Sequence, residues 1–201
     1  MGRNSAGVKA GTNDGGGQFK GKITNVGSLV EMKDKVMYKA TKEAISRYHA
    51  VMGVRQREVK LADLGGTAYG VHVTKGGKSD AVYLDRGHFD TGAKNVAREH
   101  SDNYKSGWST RTNKPVAHTV THELAHATWN SHLRGANQMA AGTEVKRLYN
   151  KWKKDTRKKD YGKYSETNVN EFWAETVTKA IHGKPDKYTD AVKAIAKKYK
   201  L

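Results

Sequence analysis

From Ser28 to about Gly53, Leu29, Met32, Val36, Met37, Ala40, Ala44, Ile45, Tyr48 and Met52 recur with a 3.6-residue period. This pattern predicts a packing helix over residues 28–53, closed by Gly53. Between Val59 and Asp85 the period changes. Gly70 to Thr74 and Asp80 to Asp85 alternate apolar with polar positions, and Lys75-Gly76-Gly77-Lys78-Ser79 between them is turn chemistry. A β-hairpin is expected, one of whose strands could be an edge that an extended peptide joins. Gly87 to Lys114 is rich in Gly, Asn, Ser, Asp and charge with little periodicity, and reads as a long loop forming a substrate-facing rim. Pro115 then opens a strongly apolar helix through Val116, Val120, Leu124, Ala127 and Leu133, with Gly135 as its stop. Three more helices follow at about 143–154, 168–181 and 186–199, the third capped by Asn168 and ended by Gly183 and Pro185.

Residues 1–22 are Gly-rich and hold only Val8 and Phe19 as sizeable apolar side chains. Such a segment buries too little to offset its ordering entropy, so a flexible arm is expected ahead of a single domain over residues 23–201. Within that domain, strands and loops occupy 59–114 and helices 115–201, an α+β arrangement. The absence of Cys excludes disulfides and thiolate metal sites. With no apolar run near about 18 residues and no apolar signal region at the N-terminus, no membrane partner and a cytoplasmic location in the producing cell are expected.

The formal charge is +17, from 37 Lys and Arg against 20 Asp and Glu. An excess of this size favours contact with nucleic acid or another polyanion. It is densest from Lys146 to Lys163, where nine Lys and Arg face two Asp. Lys151, Lys153, Lys154, Arg157, Lys158 and Lys159 are the candidate contacts, with Trp152 and Tyr161 interleaved as candidate stacking partners.

The chemistry concentrates in Thr119 to Leu133, where His122, Glu123 and His126 form H-E-x-x-H. On a helix, two histidines four residues apart project from one face and can share a metal ion. Zn²⁺ takes imidazole nitrogen readily, and a catalytic site adds a third protein ligand and leaves the fourth position to water. Glu123 is then placed to accept that water's proton. His132 is one candidate third ligand, completing H-E-x-x-H-x-x-W-x-x-H, which resembles the metzincin pattern; that pattern has Gly, which lets the chain turn sharply, where this sequence has Trp129. Further on, Glu171 and Glu175 lie four apart on one side of the 168–181 helix.

The segment Y-S-E-T-N-V-N-E-F-W-A-E, Tyr164 to Glu175, together with Thr119 to Asn130, resembles the zincin metallopeptidases of the gluzincin type. It is similar in particular to the catalytic domain of anthrax toxin lethal factor and to lethal-factor-like domains of phage and mobile-element proteins. The resemblance implies a zincin-like fold, with a small twisted sheet on the H-E-x-x-H helix. It also implies one Zn²⁺ per chain held by His122, His126 and Glu171, Glu123 as general base, and Tyr164 as oxyanion donor. Glu175 would accept a hydrogen bond from a ligand His. Leu124-Ala125 and Trp129 depart from the toxin's motif, and nothing in the chain corresponds to its translocation and substrate-recognition regions.

The expected function is a zinc-dependent endopeptidase acting on a protein or peptide, phage- or mobile-element-encoded and open to virion association. Two alternatives account for the charge: a basic nucleic-acid-associated or virion structural protein that kept the fold, and a SprT-like protease acting on DNA-bound proteins.

Overall fold

The computed structural model describes residues 22–54, 57–66, 68–75, 78–131 and 136–201. The arm at 1–21, the hairpin turn at 76–77, and His132 to Gly135 lie outside the described residues. The rest is an α+β structure of four strands and seven helices.

The first helix, α1 (Lys35–Met52), starts later than its apolar period predicts. Ser28 and Glu31 form a reciprocal capping box that starts a separate 3-10 turn at Leu29–Glu31, and the extended backbone of Met32 ends it. Asp34 then begins a fresh helix by accepting from the N–H groups of Val36 and Met37, at 2.7 and 3.2 Å. At the far end Gly53 has φ 63°, the left-handed conformation favoured for glycine. The buried side of α1 carries Met37, Ala44, Ile45, Tyr48 and Met52.

Strands β1 (Thr24–Gly27), β2 (Glu58–Asp63), β3 (Gly70–Lys75) and β4 (Lys78–Asp85) make one mixed sheet in the order β1-β2-β4-β3. The expected hairpin is β3 with β4, and β3 is an edge strand. β2 runs parallel to β4, pairing Leu61 with Leu84. β1 and β2 carry too short an alternation to stand out in the sequence; pairing to neighbours creates them.

Segment 87–114 is not the long loop its composition implies. It contains a single turn, α2 (Arg86–Phe89), and α3 (Ala93–Lys105). Of the α3 residues only Val96 is buried, so its apolar stripe is one residue wide and periodicity barely registers. Its start is secured by Asp34, which accepts from the Ala93 N–H at 2.8 Å and thereby ties α3 to α1.

Helix α4 (Pro115–Ser131) is central, packed on α1, on α6 (Val169–His182), and on β3 and β4. Tyr48 donates its hydroxyl proton to the Leu124 carbonyl at 3.0 Å, and Trp173 donates its indole N–H to the Ala125 carbonyl at 3.0 Å. Helix α5 (Ala136–Lys154) begins before its expected position, and α7 (Lys187–Tyr199) follows Asp186 as cap. Trp152, Phe172, Tyr149 and Tyr161 pack ring against ring between α5 and α6.

Candidate metal centre

Helical periodicity brings His118, His122 and His126 to one side of α4, at three successive turns. Facing them, Asn168 starts α6 by accepting from the N–H groups of Asn170 and Glu171, at 2.8 and 2.9 Å. That cap sets the phase of the helix, and with it Glu171 and Glu175 point at α4. His122 Nε2 and His126 Nε2 lie 3.0 Å apart, and Glu171 Oε2 is 3.1 Å from the first and 3.2 Å from the second.

This near-equilateral triangle is a test of fit. Tetrahedral ligands with bonds of about 2.0–2.1 Å lie about 3.3–3.4 Å from one another, within a few tenths of the observed spacings. Two imidazoles and a carboxylate are also a donor set that zinc accepts. His122, His126 and Glu171 could therefore hold a metal ion. The α4 helix continues unbroken through Trp129 to Ser131, so the chain makes no sharp turn at the position where a third histidine would need one.

Electrostatics agree with a cationic guest. Burial would lower the basicity of His122, but hydrogen bonds and charge from Glu171 and Glu175 outweigh it and hold the imidazole well above its usual value. Burial likewise pushes Glu171 up, but the His126 charge, hydrogen bonds with His122 and His126 and the His122 charge together more than reverse this, leaving it at about 2. The site is thus a concentrated negative potential around paired imidazoles.

Glu123 is fully buried, and neither carboxylate oxygen has a hydrogen-bond partner among the described residues. Burial raises its pKa. An orphaned buried carboxylate is costly, which marks a group held ready for something that arrives at the site. Its neighbour is a residue without any sequence signal: a Cβ on Gly70 of the edge strand β3 would lie 2.6 Å from Glu123 Cγ. The absence of a side chain at Gly70 gives Glu123 its space.

Tyr164 is buried in a 3-10 turn, Lys163–Glu166, with its ring stacked 5.6 Å from that of His122. The turn is pinned to the segment after α3, where Tyr164 N–H donates to the Trp108 carbonyl at 3.0 Å and the Trp108 ring lies 5.5 Å from the Tyr164 ring. Gly162 permits this approach, since a Cβ there would fall 2.1 Å from the Trp108 oxygen. Glu175 accepts from His122 Nδ1 at 2.8 Å. His100 and Trp108, which have no ligand spacing in sequence, thus border the centre: His100 packs on His118 with ring centroids 4.4 Å apart. His88 instead stacks on Tyr69. His72 is buried on β3.

The basic segment is arranged differently from its sequence reading. Lys151, Lys153, Lys154, Arg157 and Lys159 are exposed and Lys158 is half-buried. Trp152 is 0% exposed, at the centre of the aromatic cluster, and Tyr161 packs against it. The Trp152 ring is not available for base stacking, and the Tyr161 ring is half-buried against it; Trp152 lies on the buried side of α5, whereas Lys151, Lys153 and Lys154 are exposed. Lys158 sits 4.1 Å over the Trp152 ring and 3.2 Å from Glu166, so part of the patch is internally neutralised.

Four other histidines predict acid sensitivity. Burial lowers His72 and His100 to about 3, and His88 and His182 to about 4. Since these folded values lie below the unfolded value of about 6.5, the unfolded chain binds protons first. Their contribution is present above about pH 6.5 and is lost as pH falls toward 4, by at most about 1.4 kcal/mol per pH unit for each histidine. Urea midpoints measured with chelator present should fall from pH 7 to pH 5; a flat profile would mean these rings are already solvated.

No protein-family model matches this chain, and no curated protein or solved structure matches it significantly. The case for a function therefore rests on the residues themselves.

Proposed function

We propose that this chain is a zinc-dependent endopeptidase of the gluzincin type, with a zincin-like fold. The observation that carries the reading is the 3.0–3.2 Å triangle of His122, His126 and Glu171 ligand atoms, with the buried Glu123, unpartnered among the described residues, on the same helix. These three residues would hold Zn²⁺, which when bound lowers the pKa of its water to about 7 and polarises a carbonyl. Glu123 accepts the water proton and passes it to the leaving amine, a task suited to a carboxylate whose pKa burial has raised. Tyr164 donates to the oxyanion where charge develops, a role supported by its stacking on His122. The position of β3 at the sheet edge supports addition of an extended substrate alongside Gly70.

Elemental analysis of the purified chain should find about one zinc. Cleavage of an unfolded protein such as casein should stop on chelation and return with zinc. No zinc after reconstitution, or cleavage indifferent to chelator, would end this reading.

The exposed lysines of the 151–159 segment support a second reading, contact with nucleic acid or another polyanion, as a SprT-like or virion-associated role would require. Binding to duplex DNA should then weaken steeply with salt through counterion release. Salt-insensitive or undetectable binding would remove it. Among the described residues no helix is long and apolar enough to cross a membrane.

A further inference from the structure

We propose that His118, one helical turn before the first proposed ligand, is a positioning residue for the metal centre and acts through Glu175. The inference rests on the zinc reading above. Glu175 Oε1 lies 3.1 Å from His118 Nε2 and 2.8 Å from His122 Nδ1, and Glu175 Oε2 lies 3.0 Å from the Thr110 N–H. An ionised carboxylate only accepts, so all three contacts are donations to it. A carboxylate bonded by His122 alone could swing about its side-chain torsions. With His118 on the same oxygen and Thr110 on the other, it is fixed from three directions, with His118 5% and Glu175 1% exposed.

The consequence is a fixed orientation for His122. Its Nδ1–H is committed to Glu175, so Nε2 is the ring atom turned toward Glu171 and His126 and the one that would give its lone pair to zinc. Among the described residues His126 has no equivalent support, because its Nδ1 is buried without a hydrogen-bond partner. The rigidity of the imidazole pair therefore rests on the His122 side. The His118 Nδ1 is likewise buried without a partner among the described residues, so the side-chain hydrogen bond of His118 there is the one to Glu175. His100, packed on the His118 ring, holds that ring in place from α3. His118, His122 and Glu175 are themselves close enough to hold an ion. However, the 2.8 Å contact of His122 Nδ1 with Glu175 departs further from the spacing of tetrahedral ligands, about 3.3–3.4 Å, than any edge of the His122, His126 and Glu171 triangle.

The test compares wild type, His118→Leu, His118→Gln and Glu171→Ala as full chains, reading zinc affinity by chelator competition and the thermal midpoint of each zinc-free form. His118→Leu should bind zinc about 10- to 100-fold more weakly, the usual cost of losing a supporting partner. His118→Gln, which can still donate to Glu175, should recover most of the loss, with zinc-free midpoints that do not track the affinities. Equal affinity in wild type and both His118 variants, or a loss that Gln does not rescue, would overturn the proposal while leaving the zinc site standing. Failure of wild type to bind zinc would overturn both. Two zinc ions in wild type falling to one in His118→Gln would make His118 a ligand and overturn the positioning role. Nitrogen-15 spectra of zinc-loaded wild type give a readout independent of variant folding: His118 should be the Nε2–H tautomer, and an Nδ1–H tautomer would sink the idea.

Discussion

Glu123→Gln is expected to retain about one zinc per chain and to lose cleavage by about 10²–10⁴-fold in kcat, the range supplied by a positioned general base. The substitution preserves size in a fully buried slot between α4 and Gly70, so packing and the ligand triangle are undisturbed. What it removes is the capacity to accept a proton. Both Glu123 oxygens lack partners among the described residues, so no structural hydrogen bond there is lost with the carboxylate and the loss is one of chemistry. Active-site titration of zinc alongside kcat separates the two effects. A variant with full zinc and wild-type kcat would assign the base to another group, and one without zinc would make Glu123 a structural element of the centre.

Glu171→Ala should lower bound zinc from about one per chain to near none at micromolar metal. Removal of this carboxylate leaves two imidazole nitrogens 3.0 Å apart with no anion between them, a pair that repels when both are protonated and makes a two-ligand site when neither is. The stability gained from zinc should vanish with it. For wild type at a free zinc concentration 100 times Kd that gain is about 2.7 kcal/mol, visible as a shift in thermal midpoint. Zinc retained in the variant would move the third ligand elsewhere, with His132 the first residue to substitute next.

Several parts of this arrangement were legible before any coordinates. The 3.6-residue repeat puts His122 and His126 on one face whatever else the chain does, because helix geometry is local. The Asn168 cap and the Gly53 stop are local too, whereas Asp34, which starts α1, lies inside an apolar period that runs back to Ser28 and masks it. His118 was equally readable, being four residues before His122, although helical spacing alone gives no partner for it. Helix α3 escaped notice because one buried valine gives no period, and its start depends on Asp34, 59 residues earlier. Trp152 among lysines reads as a stacking surface until the packing of α5 on α6 shows its ring to be core.

By itself, the sequence determined the helices that carry the chemistry, the register of the two histidines, and a list of candidate acids. Tertiary structure decided which acid joins them: Glu171 meets His126 across 45 residues of chain. It also decided that Glu175 is clamped by His118 and Thr110, and that Gly70 makes room for Glu123. Periodicity and capping act within a few turns of one helix. Contacts between α4, α6, β3 and the segment after α3 depend on how separate amphipathic faces bury one another, and no short stretch of the chain encodes that.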